Sequence, residues 1–205
     1  MKPALLLASL TIGALLASQP LTRAADPAPG DDYEPLALGQ DSLMTATQIG
    51  PDGAKQVGTA HQRVEEAVMR NGQIYFRFHT WTEGWLENPD FTDLLRKDEK
   101  AFYRLLEDQP DAVEEIDLVL PLKVGNSWSH KGLIGTLKTT VLEQEDVTVN
   151  GKTYSKCFHT RTVAADGSHT EDSWDAPGVG TVRSDTVFKG GARILLEIQN
   201  FTPGK

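Results

Sequence analysis

Five histidines, His61, His79, His130, His159 and His169, are the residues best suited to acid–base or metal chemistry. No His-Glu-x-x-His run and no close His-x-His pair occurs, so the spacing that sets two imidazoles on one metal is missing. His79 and His159 each sit in a Phe-His-Thr triplet. Two such imidazoles could meet only if two halves of the fold packed symmetrically, and read singly they are ordinary strand histidines. Ser129-His130 lacks the Gly-x-Ser-x-Gly frame that presents a serine nucleophile. Glu83, Glu87, Asp90 and Asp93 form an acidic run without EF-hand spacing, which reads as a solvated loop. A carboxylate pair for glycoside cleavage does not stand out among 29 acidic residues. On these grounds no catalytic residue, no metal ligand and no cofactor is assigned.

The four tryptophans are the remaining candidates. Trp81 and Trp85 flank Thr82-Glu83-Gly84, which sets Trp85 on a loop, while Trp128 and Trp174 adjoin glycine-bearing turns. Tryptophan commonly anchors a small β core. The alternative is an aromatic-lined groove for a lipid, glycan or peptide, with Trp81, Trp85, Trp128 and Trp174 as its ligand-binding residues. The single cysteine, Cys157, has no partner for a disulfide and reads as a core thiol.

The elements that must position these residues read as β-strands. Trp174-Asp-Ala-Pro-Gly-Val-Gly-Thr-Val-Arg-Ser184 holds a Pro-Gly reversal feeding an alternating run. Asn71-Gly72 and Asn150-Gly151 are hairpin dipeptides, because both central positions of a type I′ turn want φ > 0. Each is followed by a Tyr and then a Phe-His-Thr triplet. Pro35-Leu-Ala-Leu-Gly-Gln40 matches Pro121-Leu-Lys-Val-Gly-Asn126 in the same order, so the chain reads as two degenerate repeats, about 33–108 and 120–201. Phe91, Leu94, Leu95, Phe102, Leu105 and Leu106 fit a helical stripe. They also fit a hairpin, Thr92 to Lys97 and Ala101 to Leu106, turning at Asp98-Glu-Lys100, and the repeat favours the hairpin. Pro110 to Pro121 then connects the halves. Gly190-Gly191 turns a last hairpin whose second strand puts Ile194, Leu196 and Ile198 on one face. The expected fold is all-β and mainly antiparallel, a strongly curved sheet or partly open barrel with few or no long helices. It forms one domain over 33–205.

Bulk properties limit the partners. The 205 residues hold 20 basic and 29 acidic side chains, net −9, which disfavours nucleic acid and anionic membrane surfaces. Residues 1–24 read as a secretory signal: Lys2, an apolar run from Ala4 to Leu16, Pro20, then the small-residue site Thr22-Arg23-Ala24. The apolar run is too short to span a bilayer of about 30 Å, so no transmembrane span is expected. Asp26 to Asp32, rich in Pro, Gly and Asp, falls within a flexible leader over 25–32. Removing Lys2 and Arg23 leaves 18 basic against 29 acidic residues, net −11.

Pro121-Leu-Lys-Val-Gly-Asn-Ser-Trp128, the Val-rich pair around Val147 to Cys157 and Trp174 to Ser184 together resemble a family of exported bacterial envelope domains of unknown function, some called TapB-like. The likeness is weaker in the first half, where Ser42 stands in place of a Trp. It implies an antiparallel β fold and an envelope location, periplasmic or secreted, and carries no catalytic residues. The function expected is a non-enzymatic envelope protein binding an apolar ligand or another envelope protein. Lipid, glycan and envelope protein are the partners considered, without an assigned oligomeric state. The alternative is a hydrolase acting on cell-wall or polysaccharide material. Sequencing of the exported form should find its N-terminus near Ala25 or Asp26; a functional form that retains Met1 would refute the export signal.

Overall fold

A computed structural model describes residues 32–85, 89–107, 113–132 and 135–205. The predicted export signal and all of the leader but Asp32 lie outside the described residues. Twelve strands follow one another: β1 (Asp41–Ile49), β2 (Lys55–Arg70), β3 (Gln73–Glu83), β4 (Asp90–Lys97), β5 (Ala101–Leu106), β6 (Glu115–Val119), β7 (Ser127–Gly132), β8 (Gly135–Val149), β9 (Lys152–Ala164), β10 (His169–Ala176), β11 (Gly180–Phe188) and β12 (Arg193–Thr202). No helix occurs among the described residues.

All twelve belong to one antiparallel sheet in the order β6-β5-β4-β3-β2-β1-β12-β11-β10-β9-β8-β7. The chain is a meander whose first strand pairs with its last, Asp41 opposite Thr202 and Ile49 opposite Arg193. The sheet curls into a nearly closed barrel, and among the described residues only the seam between β6 and β7 lacks a ladder. Side chains bridge that seam instead. Trp128 Nε1 on β7 donates to the Asp117 carbonyl oxygen on β6 at 3.3 Å, and Leu118, Leu122 and Trp128 pack in one cluster.

Local chemistry explains the turns. Asn71 and Gly72 adopt φ of 53° and 75°, and Asn150 and Gly151 adopt 50° and 79°, as type I′ hairpins require. These turns join β2 to β3 and β8 to β9. The segment from Phe91 to Leu106 is a hairpin and not a helix. Its turn is fixed by Asp98, whose Oδ1 accepts the N–H groups of Lys100 and Ala101 at 2.8 and 3.1 Å. The expected connection over 110–121 is corrected: it contains β6, which pairs with β5 from Ala101↔Val119 to Arg104↔Glu115. The acidic run expected on a loop is corrected as well. Glu83 ends β3, Asp90 and Asp93 belong to β4, Asp93 is buried, and Glu87 lies outside the described residues.

Two further devices shape the interior. Residues 32–40 form a strap tied to several strands. Gly178 N donates to the Asp32 carbonyl oxygen at 2.6 Å, Lys97 Nζ binds the Asp32 carboxylate, and Tyr33 Oη donates to the Lys156 carbonyl oxygen at 3.1 Å. In a meander alternate turns share one end, so the strap covers the end that holds the β4–β5 and β10–β11 turns. The tip of the β8–β9 hairpin reaches β12, where Asn150 Nδ2 donates to the Ile198 carbonyl oxygen at 2.9 Å. It places Val147, Val149 and Tyr154 in one cluster with Met44, Ala46 and Ile198.

One close approach is testable. A Cβ on Gly58 of β2 would lie 2.1 Å from the Glu83 carbonyl oxygen and 2.9 Å from Trp85 Cδ1. Backbone cannot yield as a flexible side chain can, so Gly58→Ala should destabilise the protein by about 1–3 kcal/mol. Urea unfolding checks this. A variant as stable as the parent would show that β2 and the Glu83–Trp85 segment do not pack as described.

Candidate functional site

The barrel interior contains a cavity of about 300 Å³ to which every strand but β12 contributes a wall residue. One part of its wall is apolar, with Leu36 from the strap, Phe78 from β3, Leu95 from β4, Phe102 from β5 and Leu118 from β6. The other part is polar and acidic. Glu34 enters from the strap, Asp117 from β6, and Glu171, Ser173 and Asp175 from β10. The 171, 173, 175 spacing is the strand period of two, which turns all three side chains to one face. Arg104 of β5 and His130 of β7 complete the charged or titratable set.

Four carboxylates against one guanidinium make this interior electronegative. Arg104 Nη2 donates to Asp117 Oδ2 at 2.9 Å, and its Nε stands 3.8 Å from Asp93 Oδ2. These acids, Asp117 first, hold the guanidinium in its charged form. Asp175 is 3% exposed and accepts from Thr181 Oγ1 at 2.8 Å and Ser173 Oγ at 3.3 Å. Burial outweighs those two bonds and pushes its pKa up to about 6, with Asp117 adding to the rise. Burial likewise raises Glu34 well above the usual carboxylate range, reinforced by Asp175, Asp117 and Asp32 and opposed by Lys97. Glu171 is raised by burial, then by Asp117 and Asp175, against Arg104 and a hydrogen bond from Ser184. Burial lowers His130, so its imidazole favours the neutral form. Gln40 Oε1, Arg104 Nε and His130 Nδ1 are buried without a hydrogen-bond partner among the described residues.

The four candidate tryptophans lie apart from this wall. Trp81 on β3 stacks on His61 at 4.6 Å with Arg63 over its ring. Trp85 donates to the Ala46 carbonyl oxygen at 3.3 Å and packs with Trp174 against the cluster around Met44 and Val182. Trp174 stacks on His159 at 4.5 Å and donates to Glu145 Oε1 at 2.7 Å. Trp128 stands at the seam. None of the four lines the cavity, although the carbonyl that holds Trp128 belongs to Asp117, a wall residue. His79 and His159 do not meet. They sit on β3 and β9 with five strands between them in the sheet, and each is engaged locally, His79 by Glu65 and Asp90, His159 by Asp172. Cys157 is buried, and burial raises its thiol to about 11. The lumen acids went unnoticed in the sequence because nothing in a carboxylate's type marks it as buried; the polar alternation 171, 173, 175 was the available sign.

No protein-family model matches the chain, and no curated protein matches it at the sequence level. The TapB-like resemblance therefore stays a likeness of motifs. Two solved structures are similar in fold. One, from Bacteroides fragilis, is provisionally described as exported with a YmcC-like fold; it shares 12% identity and a TM-score of 0.47, over 82% of this chain and 97% of that one. The other, from Parabacteroides distasonis, is provisionally described as a lipoprotein, at 10% identity and TM-score 0.47, over 83% of this chain and 98% of that one. Among the described residues no helix is long and apolar enough to cross a membrane.

The lumen acids give a pH signature. With its folded pKa at about 6 and an unfolded value of about 3.9, Asp175 keeps a proton across a window in which the unfolded chain has lost it. Its contribution is therefore complete below the unfolded value and is lost as pH rises through about 6. Glu34, Glu171 and the raised His79 act in the same direction, while the lowered His130 opposes them. The melting temperature should fall between about pH 5 and about pH 7.5, and Asp175→Asn should flatten that fall. A profile rising over this range, or one the substitution leaves unchanged, would refute the buried acidic lumen.

Proposed function

We propose that the chain is an exported envelope protein that binds, inside its barrel, a small molecule with an apolar body and a positively charged head. The export reading rests on residues 1–24. The binding reading rests on one observation: the lumen wall joins an apolar surface to four carboxylates faced by a single guanidinium. A cavity of about 300 Å³ is at the small end of ligand sites. A bound cation would offset the burial, and with it the mutual repulsion, that raise Glu34, Glu171 and Asp175. This narrows the expectation of an apolar ligand, since the apolar residues cover only part of the wall. Asp117, Leu118 and His130 flank the seam, so we assign entry to that side, with Trp128 as the side chain that must yield. Trp81, Trp85 and Trp174 have framework roles in this reading.

A hydrolase acting on cell-wall or polysaccharide material is the second reading. Asp175, titrating at about 6 in a cavity with other carboxylates, has the property a general acid needs.

Calorimetry with hexylammonium, hexanoate and hexanol separates these readings. The ammonium should bind about tenfold or more tightly than the other two at about pH 7.5, should weaken toward about pH 5, and should lose that advantage in Asp175→Asn. Hexanol or hexanoate binding as well as the ammonium would refute the cationic head. Polysaccharide cleavage by the parent protein but not by Asp175→Asn would establish the hydrolase instead.

A further inference from the structure

We propose that His159, Glu143 and Glu145 bind a divalent transition-metal ion of the zinc class, on the sheet face turned away from the lumen. Thr160 lines the cavity and Phe158 packs in the interior cluster, so the imidazole between them points to the opposite face of β9. Asp172, between the wall residues Glu171 and Ser173, does the same on β10. In register, Glu143 pairs with His159, so its carboxylate stands on the imidazole's side, and the Glu145 carboxylate, two residues along β8, reaches the same ring nitrogen. Bulges between Val141 and Glu143 and between Glu145 and Val147 bound this short stretch of β8. Such bulges re-aim side chains.

The distances fit a shared ion. One ligand atom from each residue lies within 4.8 Å of the other two. Glu143 Oε1 is 3.6 Å and Glu145 Oε1 3.7 Å from His159 Nδ1. These separations exceed hydrogen-bond length. Around a tetrahedral zinc with bonds of about 2.1 Å, ligand atoms stand about 3.4 Å apart, so a few tenths of an ångström brings each carboxylate oxygen into place relative to Nδ1.

The imidazole supplies a second, independent observation. His159 is 9% exposed, and its Nε2 lies 2.7 Å from Asp172 Oδ1, where the ring donates its proton. In the neutral ring Nδ1 is then a bare lone pair. It is buried, lacks a hydrogen-bond partner among the described residues and faces two carboxylate oxygens. Nδ1 and Glu143 Oε1 converge with no donor between them, beside a Glu145 oxygen held by the Trp174 indole, and a cation satisfies such a set. Outer contacts orient the set. Trp174 Nε1 donates to Glu145 Oε1 at 2.7 Å, its ring stacks on His159, and Arg161 holds Asp172 through Nε at 2.9 Å and Nη2 at 3.1 Å. Two carboxylates and a neutral imidazole balance a doubly charged ion and leave a fourth position open.

Untagged protein stripped with EDTA and titrated with Co²⁺ tests the site. A visible absorption band should saturate at one equivalent and vanish on adding one equivalent of Zn²⁺. Glu143→Gln, at an exposed position, should weaken binding about tenfold or more, and Asp172→Asn about 10–100-fold, with unchanged far-UV circular dichroism. Absence of saturable one-to-one binding in the parent protein, or a Glu143→Gln variant that binds Co²⁺ as the parent does, overturns the proposal.

Discussion

Closing a sheet on itself obliges every strand to give one face to the interior, and here that interior receives charge as well as hydrocarbon. Ten of the twelve strands have hydrogen-bonded neighbours on both sides, and the two that do not, β6 and β7, face each other across the seam. Their meeting is managed by side chains, above all the Trp128 bond to the Asp117 carbonyl. The same Asp117 turns its carboxylate inward to Arg104. Barrel closure and lumen electrostatics thus converge on one short strand. The strap from Asp32 to Gln40 covers an end of the barrel and adds Glu34 to the acids already inside. Burial raises three of those acids, and the hydrogen bonds from Ser173 and Thr181 offset only part of the cost at Asp175.

The strands β9 and β10 work on both faces. Thr160, Thr162, Glu171, Ser173 and Asp175 look into the cavity. One residue out of step, His159, Arg161 and Asp172 build a charged network on the other face, joined by Trp174. Period-two alternation makes this possible, because a single strand can present two unrelated chemistries back to back. Substitutions at neighbouring positions should therefore separate cleanly between lumen and outer network.

Legibility in the sequence followed the local character of each constraint. The Asn-Gly turns were readable because the φ > 0 they require is a property of the dipeptide itself. The Phe91 to Leu106 segment fitted a helix by its apolar spacing, and what decides against it is local too, the Asp98 carboxylate capping Lys100 and Ala101. Strand β6 hid within acidic surroundings, a five-residue stretch whose apolar Ile116, Leu118 and Val119 alternate with Glu115 and Asp117 only at its start. The lumen was not readable, because a carboxylate becomes a buried carboxylate only through tertiary closure. The outer cluster was hidden for a related reason. Glu143 and His159 meet through a hairpin register interrupted by two bulges, and no sequence spacing encodes that register.

The most direct test of the charged interior is to follow carboxyl carbons by NMR as pH is varied, with Asp175, Glu34 and Glu171 assigned through single substitutions. Asp175 should titrate at about 6, and Glu34 and Glu171 above the ordinary carboxylate range. Were all three to titrate near the usual values of about 4, these acids would be in contact with water, and the barrel would not enclose them.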